Sequence, residues 1–332
     1  MDKFNDGFRF RTEISTPSEC LHLDHTKTFF TIGSCFADHI GAILKTNKFP
    51  VTVNPFGTVY DPVSIHRLLK YVIDHTSPDP SDFVERDGIY FCDELHSSVN
   101  ASSPELLQKK ISELISAIRS QFTASDIFLI TFGTAWVYVR KDRGKQVANC
   151  HKLPGTLFSK QLLQPEQVIN SFKDIYALIR KSNPAAQFIL TVSPVRHIKD
   201  SLELNAVSKS TLRLSAHQLS ELPGVFYYPA FEMMNDDLRD YRYYSADLIH
   251  PNEQAIEYIW EHLKYFLFGP DTRNLIERYE KIRRSSSHRP FNEHSSAHQA
   301  FLNNLIKEMT ELNDQLDLSK EIAEIRSRLS QL

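Results

Sequence analysis

The chain has 332 residues, 41% of them hydrophobic and 24% charged, with a formal net charge of −3. That length suits one elaborated α/β domain with an appendage, and the apolar share is enough for a sizeable core. The near balance of charge argues against bulk binding to nucleic acid, and no apolar run is long enough to cross a bilayer.

The N-terminus, Met1-Asp2-Lys3-Phe4-Asn5-Asp6-Gly7, has neither the basic start nor the apolar core of a signal peptide. A cytoplasmic protein without a membrane partner is expected. Thr28 to Ile32 is a β-branched and aromatic run ending at Gly33, which reads as a strand. Phe36, Ile40, Ile43 and Leu44 then recur with a helical period, so Gly33-Ser34 sits at a strand-to-helix junction. A strand at Val51 to Val53 runs into Asn54-Pro55-Phe56-Gly57, and a helix is predicted from Pro62 to Asp74. Residues 77–103 are rich in Ser, Pro and Asp, with a hairpin-like piece around Gly88 to Phe91, and read as an insertion.

Leu106 to Phe122 predicts a helix, and Ile127 to Phe132 a strand buried on both faces. Val137 to Val139 and Gln146 to Ala148 flank the charged turn Lys141 to Gly144, as in a hairpin. Pro165 to Ser182 opens with Pro-Glu, a first-turn signal for a helix. A strand at Phe188 to Val192, a helix at Asn205 to Leu222 and a strand at Val225 to Tyr228 follow. This alternation implies a three-layer α/β/α sandwich with a mostly parallel sheet, whose ligands bind outside the carboxyl ends of the strands. Ser34, Gly57, Gly133, Ser193 and Pro229 all lie just past such ends.

A helix from Asn252 to Phe268 closes the first domain, residues 1–270. Residues 271–332 form a helical extension: a charged helix at Asn274 to Arg284, then apolar stripes along Ala297 to Leu312 and Leu318 to Leu329, with Asn313 to Asp317 as the turn of a hairpin. The stripes suit packing on the core domain or assembly of a homo-oligomer. The cysteines, Cys20, Cys35, Cys92 and Cys150, are scattered and suit reduced thiols.

Two patterns carry chemistry. A serine at a tight strand-to-helix turn exposes its oxygen where a helix N-terminus favours developing negative charge. That description fits Ser34, although Gly-Ser is also an ordinary helix entry. In Asp247-Leu248-Ile249-His250-Pro251, an aspartate three residues ahead of a histidine can hold one ring nitrogen and leave the other as a base. Cys35 shares the helix N-terminus, and a thiol nucleophile paired with His151 is an alternative. Cys150, His151 and His197 lack further ligands at metal spacing, so neither metal nor cofactor is expected.

Several strings together resemble one family. Thr31-Ile32-Gly33-Ser34-Cys35-Phe36-Ala37 is similar to the signature of the GSCFA domain family, a branch of the SGNH (GDSL-like) hydrolases. The resemblance continues through Asn54 to Gly57, Thr131 to Tyr138, Asn149 to Pro154, Thr191 to His197, Ser208-Lys209 and Asp247 to Pro251, and spans roughly residues 8–268. It implies Ser34 as nucleophile with Asp247 and His250 as its partners, and the N–H groups of Ser34 and Gly57 as an oxyanion hole. The usual Gly-x-Asn block is Gly133-Thr134-Ala135 here, so its asparagine is missing; Asn149 is the candidate replacement. Such a donor is worth about 3 kcal/mol in the transition state.

The sequence thus points to a serine-dependent acyl-ester hydrolase or acyltransferase. By family analogy its substrate is a short-acyl ester of a carbohydrate or small metabolite. Gly133, Thr134, His151, Arg196, His197 and Lys209 are the candidate substrate-binding residues, and Trp136 and Tyr138 could stack on a sugar. The alternative is a non-catalytic carbohydrate-binding or scaffolding protein that keeps the fold.

Overall fold

The computed structural model describes residues 12–15, 20–199, 201–288 and 290–332. The described residues divide into two compact units, one from 12–15, 28–42 and 51–263, the other from 20–27, 43–50 and 264–332. Along the chain, β1 (Phe29–Gly33) leads into α1 (Cys35–Thr46), and β2 (Val51–Val53) into α2 (Pro62–Asp74). Asp61 starts α2 by accepting the Ser64 N–H at 2.8 Å, with Pro62 in the first turn. Residues 83–101 form a small antiparallel sheet of β3 (Phe83–Arg86), β4 (Ile89–Cys92) and β5 (Asn100–Ala101).

After α3 (Pro104–Thr123) and β6 (Ile127–Phe132) comes a second small sheet. In it β7 (Trp136–Arg140) is flanked by β8 (Lys145–Val147) and β9 (Phe158–Leu162). Then follow α4 (Pro165–Ser182), β10 (Gln187–Val192), α5 (Leu202–Leu219), β11 (Val225–Tyr227), the single turn α6 (Ala230–Glu232) and α7 (Glu253–Leu267).

The central sheet has the order β11-β10-β6-β1-β2 and every pairing in it is parallel. Phe29 pairs with Ile127 and Gly33 with Thr131, so the ends of β1 and β6 come level. Numbered by sheet strand alone the order is 2-1-3-4-5, and the direction in which successive strands are added reverses between β1 and β6. That pair is the topological switch point, where a doubly wound sheet opens a crevice. One face, with Phe30, Ile32, Phe128, Ile130, Phe188 and Leu190, joins a continuous apolar cluster with α2 to α5. On the other face Thr31 and Val53 meet α1 at Gly41, so closely that a Cβ there would lie 2.6 Å from Val53. The Tyr228 hydroxyl donates to the Ile259 carbonyl of α7 at 2.7 Å. The expected α/β/α sandwich is present.

The second unit contains α8 (Pro270–Ser286), α9 (Ser296–Leu312) and α10 (Ser319–Ser330). The stripe residues Leu302, Leu305, Met309 and Leu312 of α9 and Ile322 and Ile325 of α10 close on Leu275, Tyr279 and Ile282 of α8. The expected hairpin is therefore two arms of a three-helix cluster whose apolar faces cover one another. Asn313 sets the turn by accepting the Leu318 N–H at 3.0 Å. Among the described residues no helix is long and apolar enough to cross a membrane.

Candidate active site

The site begins at the β1–α1 junction. Gly33 has φ +137°, and a Cβ on it would stand 2.1 Å from the Thr131 carbonyl oxygen. No side chain fits, because the backbone must pass directly over β6. The Gly33 N–H donates to Asn54 Oδ1 at 2.8 Å, and Asn54 Nδ2 donates to Asp38 Oδ1 at 2.7 Å. Thr58 donates to the other Asp38 oxygen at 3.3 Å. The loops after β1 and β2 are thereby tied to the first turn of α1. Gly33→Ala is expected to cost more than about 3 kcal/mol or to prevent folding. A urea midpoint within error of the wild type would contradict this account of the turn.

This turn decides which side chain faces outward. Ser34 is wholly buried; its N–H donates to the Thr131 carbonyl at 3.2 Å, and its Oγ lies 3.4 Å from the Phe36 amide. It caps α1. Cys35, the next residue, is half-buried and lines a cavity of about 380 Å³. His250 lines the same cavity, as do Tyr60, Thr134, Arg196 and His197.

The loop before α7 is built around Asp247. One carboxylate oxygen accepts the N–H groups of Ile249 and His250 at 2.9 and 3.0 Å, and the other meets His250 Nδ1 at 2.6 Å. These bonds hold the Asp247 carboxyl down at about 2, the His250 backbone N–H being the largest cause. With Nδ1 facing the carboxylate, Nε2 is the His250 ring nitrogen left without a bond to Asp247. Leu248 takes φ +58° to make the turn, and the Arg196 N–H donates to the Ile249 carbonyl at 3.3 Å. The loop after β10 is thus tied to the histidine loop.

Burial and the Asp38 carboxylate push the Cys35 thiol up. Opposing them are the N–H groups of Cys35 and Phe36 at the start of α1, and the ammonium of Lys209. Lys209 itself is buried, 1% exposed, and donates to the Gly133 and Ser193 carbonyls at 2.7 and 2.8 Å. Burial lowers its pKa to about 7. It therefore spans the ends of β6 and β10 and does not line the cavity, rather than standing at the mouth where its sequence context placed it as a substrate ligand.

A model of the GSCFA family matches residues 28–263, and one described as the GSCFA domain protein, C-terminal domain, matches residues 279–331. The chain belongs to the GSCFA family. No curated protein matches it. Among solved structures, it is similar to a provisionally described platelet activating factor from Streptococcus pneumonia, at 12% identity over 73% of this chain and 84% of that one, TM-score 0.38. It is also similar to a carbohydrate esterase family 3 protein from Talaromyces cellulolyticus, at 11% identity over 76% and 98%, TM-score 0.36. A third is an acetyl xylan esterase from the rumen bacterium Butyrivibrio proteoclasticus, at 11% identity over 73% and 65%, TM-score 0.33.

Several expected positions in this GSCFA chain are differently employed. The two expected oxyanion donors are taken up by backbone: Ser34 N–H by Thr131, and Gly57 N–H by the Asn54 carbonyl at 2.8 Å. Asn149 does not reach back over Gly133; its Oδ1 accepts the His151 N–H at 2.9 Å and its own N–H donates to Asp93 at 3.1 Å. It ends a turn. His151 is buried, with Nδ1 2.9 Å from Ser97 Oγ and Nε2 2.8 Å from the Cys92 carbonyl, so its ring serves neither substrate nor Cys35. Gly133 and Thr134 give their N–H groups to the Tyr60 carbonyl at 2.7 and 3.1 Å, while Thr134 keeps its place on the cavity wall.

Sequence reasoning passed over Asp38, Asn54 and Tyr60 as single residues of the GSCFA site. The Asn-Pro step after β2 was the available signal for Asn54, since such a pair favours a turn. Among the described residues no group of three His, Cys, Asp or Glu side chains is placed to hold a metal ion.

Proposed function

We propose that the chain is a thiol-dependent acyl hydrolase or acyltransferase in which Cys35 is the nucleophile, His250 the base and Asp247 its orienting partner. The observation that carries this reading is that Cys35 shares the cavity with His250 while Ser34 is enclosed in the α1 cap. The expectation of a serine nucleophile shifts by one residue along the same turn, and the SGNH-like division of labour is otherwise kept.

The electrostatics define how the thiol would work. A thiol raised by burial and by Asp38 is protonated at neutral pH, so it needs a base at the moment of attack. His250 Nε2 takes the proton as the sulfur–carbon bond forms and the carbonyl electrons move onto oxygen. The N–H groups at the start of α1 favour that oxygen's charge, and Asp247 balances the imidazolium. Collapse breaks the acyl–oxygen bond, and His250 returns the proton to the departing alcohol. Water or a second hydroxyl then takes the acyl group from sulfur, with His250 again accepting and returning a proton. Short acyl esters of a small metabolite or carbohydrate are the substrates this reading favours.

Acid quenching during turnover of p-nitrophenyl acetate, followed by peptide mass mapping, tests the assignment. An acetyl group on Cys35, released by neutral hydroxylamine, is the expected result. Acetylation of Ser34 would restore the serine mechanism. Neither adduct nor turnover would favour a non-catalytic binding protein.

A further inference from the structure

The three oxyanion donors expected from the sequence are engaged elsewhere. The Ser34 and Gly57 N–H groups bond to backbone carbonyls, and Asn149 closes its own turn. The Gly133 and Thr134 N–H groups, in the block that lacks its asparagine, are taken as well, both by the Tyr60 carbonyl. The residue that takes them out of use sets its own phenol on the cavity wall, together with Cys35 and His250.

Tyr60 is pinned on both sides. The Val59 N–H donates to the Gly33 carbonyl at 3.0 Å, within the turn that carries Cys35, and Asp61 accepts the Ser64 N–H at 2.8 Å to start α2. A Cβ on Gly133 would stand 3.0 Å from the Tyr60 carbonyl oxygen and 3.1 Å from its Cβ, so the glycine lets Tyr60 lie against the end of β6. The phenol ring meets His197 edge to face, with centres 5.3 Å apart. Its hydroxyl is hydrogen-bonded to none of the described residues. The Thr134 hydroxyl on the same wall is occupied: it lies 3.1 Å from Ser208 Oγ and accepts the Trp136 N–H at 3.1 Å. Burial, the Cys35 thiol and the Asp38 carboxylate push the Tyr60 phenol up. It therefore keeps its proton at neutral pH, close enough to Cys35 for each group to sense the other's charge.

We propose that Tyr60 is a further catalytic residue of the acyl transfer, its hydroxyl donating to the carbonyl oxygen of the ester in place of the missing asparagine. The phenol keeps its proton throughout: its hydrogen bond tightens as the carbonyl electrons move onto oxygen and relaxes when the acyl–oxygen bond breaks. The inference rests on Cys35 as the nucleophile and is tested separately from that reading. In the full-length protein, Tyr60→Phe keeps the ring and the backbone bonds and removes only the hydroxyl. Rapid-mixing kinetics with p-nitrophenyl acetate should show acetylation of Cys35 slowed by about 10²-fold, with KM little moved. Alkylation of Cys35 by iodoacetamide displaces iodide at a saturated carbon and builds no oxyanion, so its rate should stay within about twofold of the wild type. Unchanged acetylation overturns the proposal. So does an equal loss of both reactions, which would mean that the hydroxyl serves the thiol or the fold.

A titration that needs no nucleophile separates the two readings. In the Cys35→Ala protein, acetate offers a carboxylate oxygen to the same donor. Calorimetry should show acetate binding that weakens by about tenfold or more when Tyr60→Phe is added. Equal binding by the two proteins, or binding by neither, overturns the proposal. Failure of the wild-type Cys35 to be acetylated or alkylated would count against the nucleophile alone and leave the acetate titration to decide the role of Tyr60.

Discussion

Cys35→Ala is expected to lower turnover of an activated acetyl ester by at least about 10³-fold, because it removes the atom that forms the covalent intermediate. Cys35→Ser should fail almost as completely. A hydroxyl is far less acidic than a thiol, and the site already disfavours negative charge through burial and Asp38. Ser34→Ala should behave differently. It removes the hydroxyl over the first turn of α1, at a cost of about 1 kcal/mol of stability, and leaves turnover on the wild-type order. Steady-state kinetics and urea midpoints on the three variants separate the roles. A dead Ser34→Ala beside an active Cys35→Ala would reverse the assignment.

Lys209→Met is expected to have the second large effect, and on stability first. The substitution leaves the Gly133 and Ser193 carbonyls, both at the ends of core strands, without their shared donor. Two buried acceptors left unpaired cost on the order of 2–5 kcal/mol together. The pH dependence carries a second signature. In the folded chain Lys209 loses its proton near pH 7, whereas an unfolded lysine keeps it to about 10.4. Between those values the unfolded state binds more protons, so folding gains stability as pH rises.

Below pH 7 both states are protonated and the contribution is flat. Urea midpoints taken at pH 7 and pH 9 should show the wild type gaining on Lys209→Met by on the order of 2 kcal/mol. Parallel curves for the two proteins would mean that the buried ammonium keeps its proton throughout.

Much of the scaffold was legible because it is encoded locally. The strands at Phe29, Ile127 and Gln187 are apolar apart from one threonine each and the opening Gln187, as suits a strand covered on both faces, and α2, α4 and α9 carry their apolar residues at helical spacing. β9 was not legible. Phe158-Ser159-Lys160-Gln161-Leu162 has a single buried side chain, and it is a strand because β7 lies beside it. Lys209 carried no sign of burial, since a lysine on an amphipathic helix reads as a surface residue. Only the spacing of two strand-end carbonyls, set by the sheet, makes an interior lysine tolerable there.

The β1–α1 turn shows where the division falls. Sequence alone determined that a tight turn stands between a buried strand and a helix, that it sets a hydroxyl and a thiol side by side, and that an Asp-x-x-His pair follows late in the chain. These are properties of neighbouring residues, and the chain order states them directly. Which of Ser34 and Cys35 faces the cavity was decided only in three dimensions. Gly33 is drawn against Thr131 on β6 and held by Asn54 from the loop after β2, and these long-range bonds set the rotation of the backbone as it enters α1. Adjacent side chains leave such a turn in different directions, so a change of orientation there exchanges which of the two is enclosed and which lines the cavity.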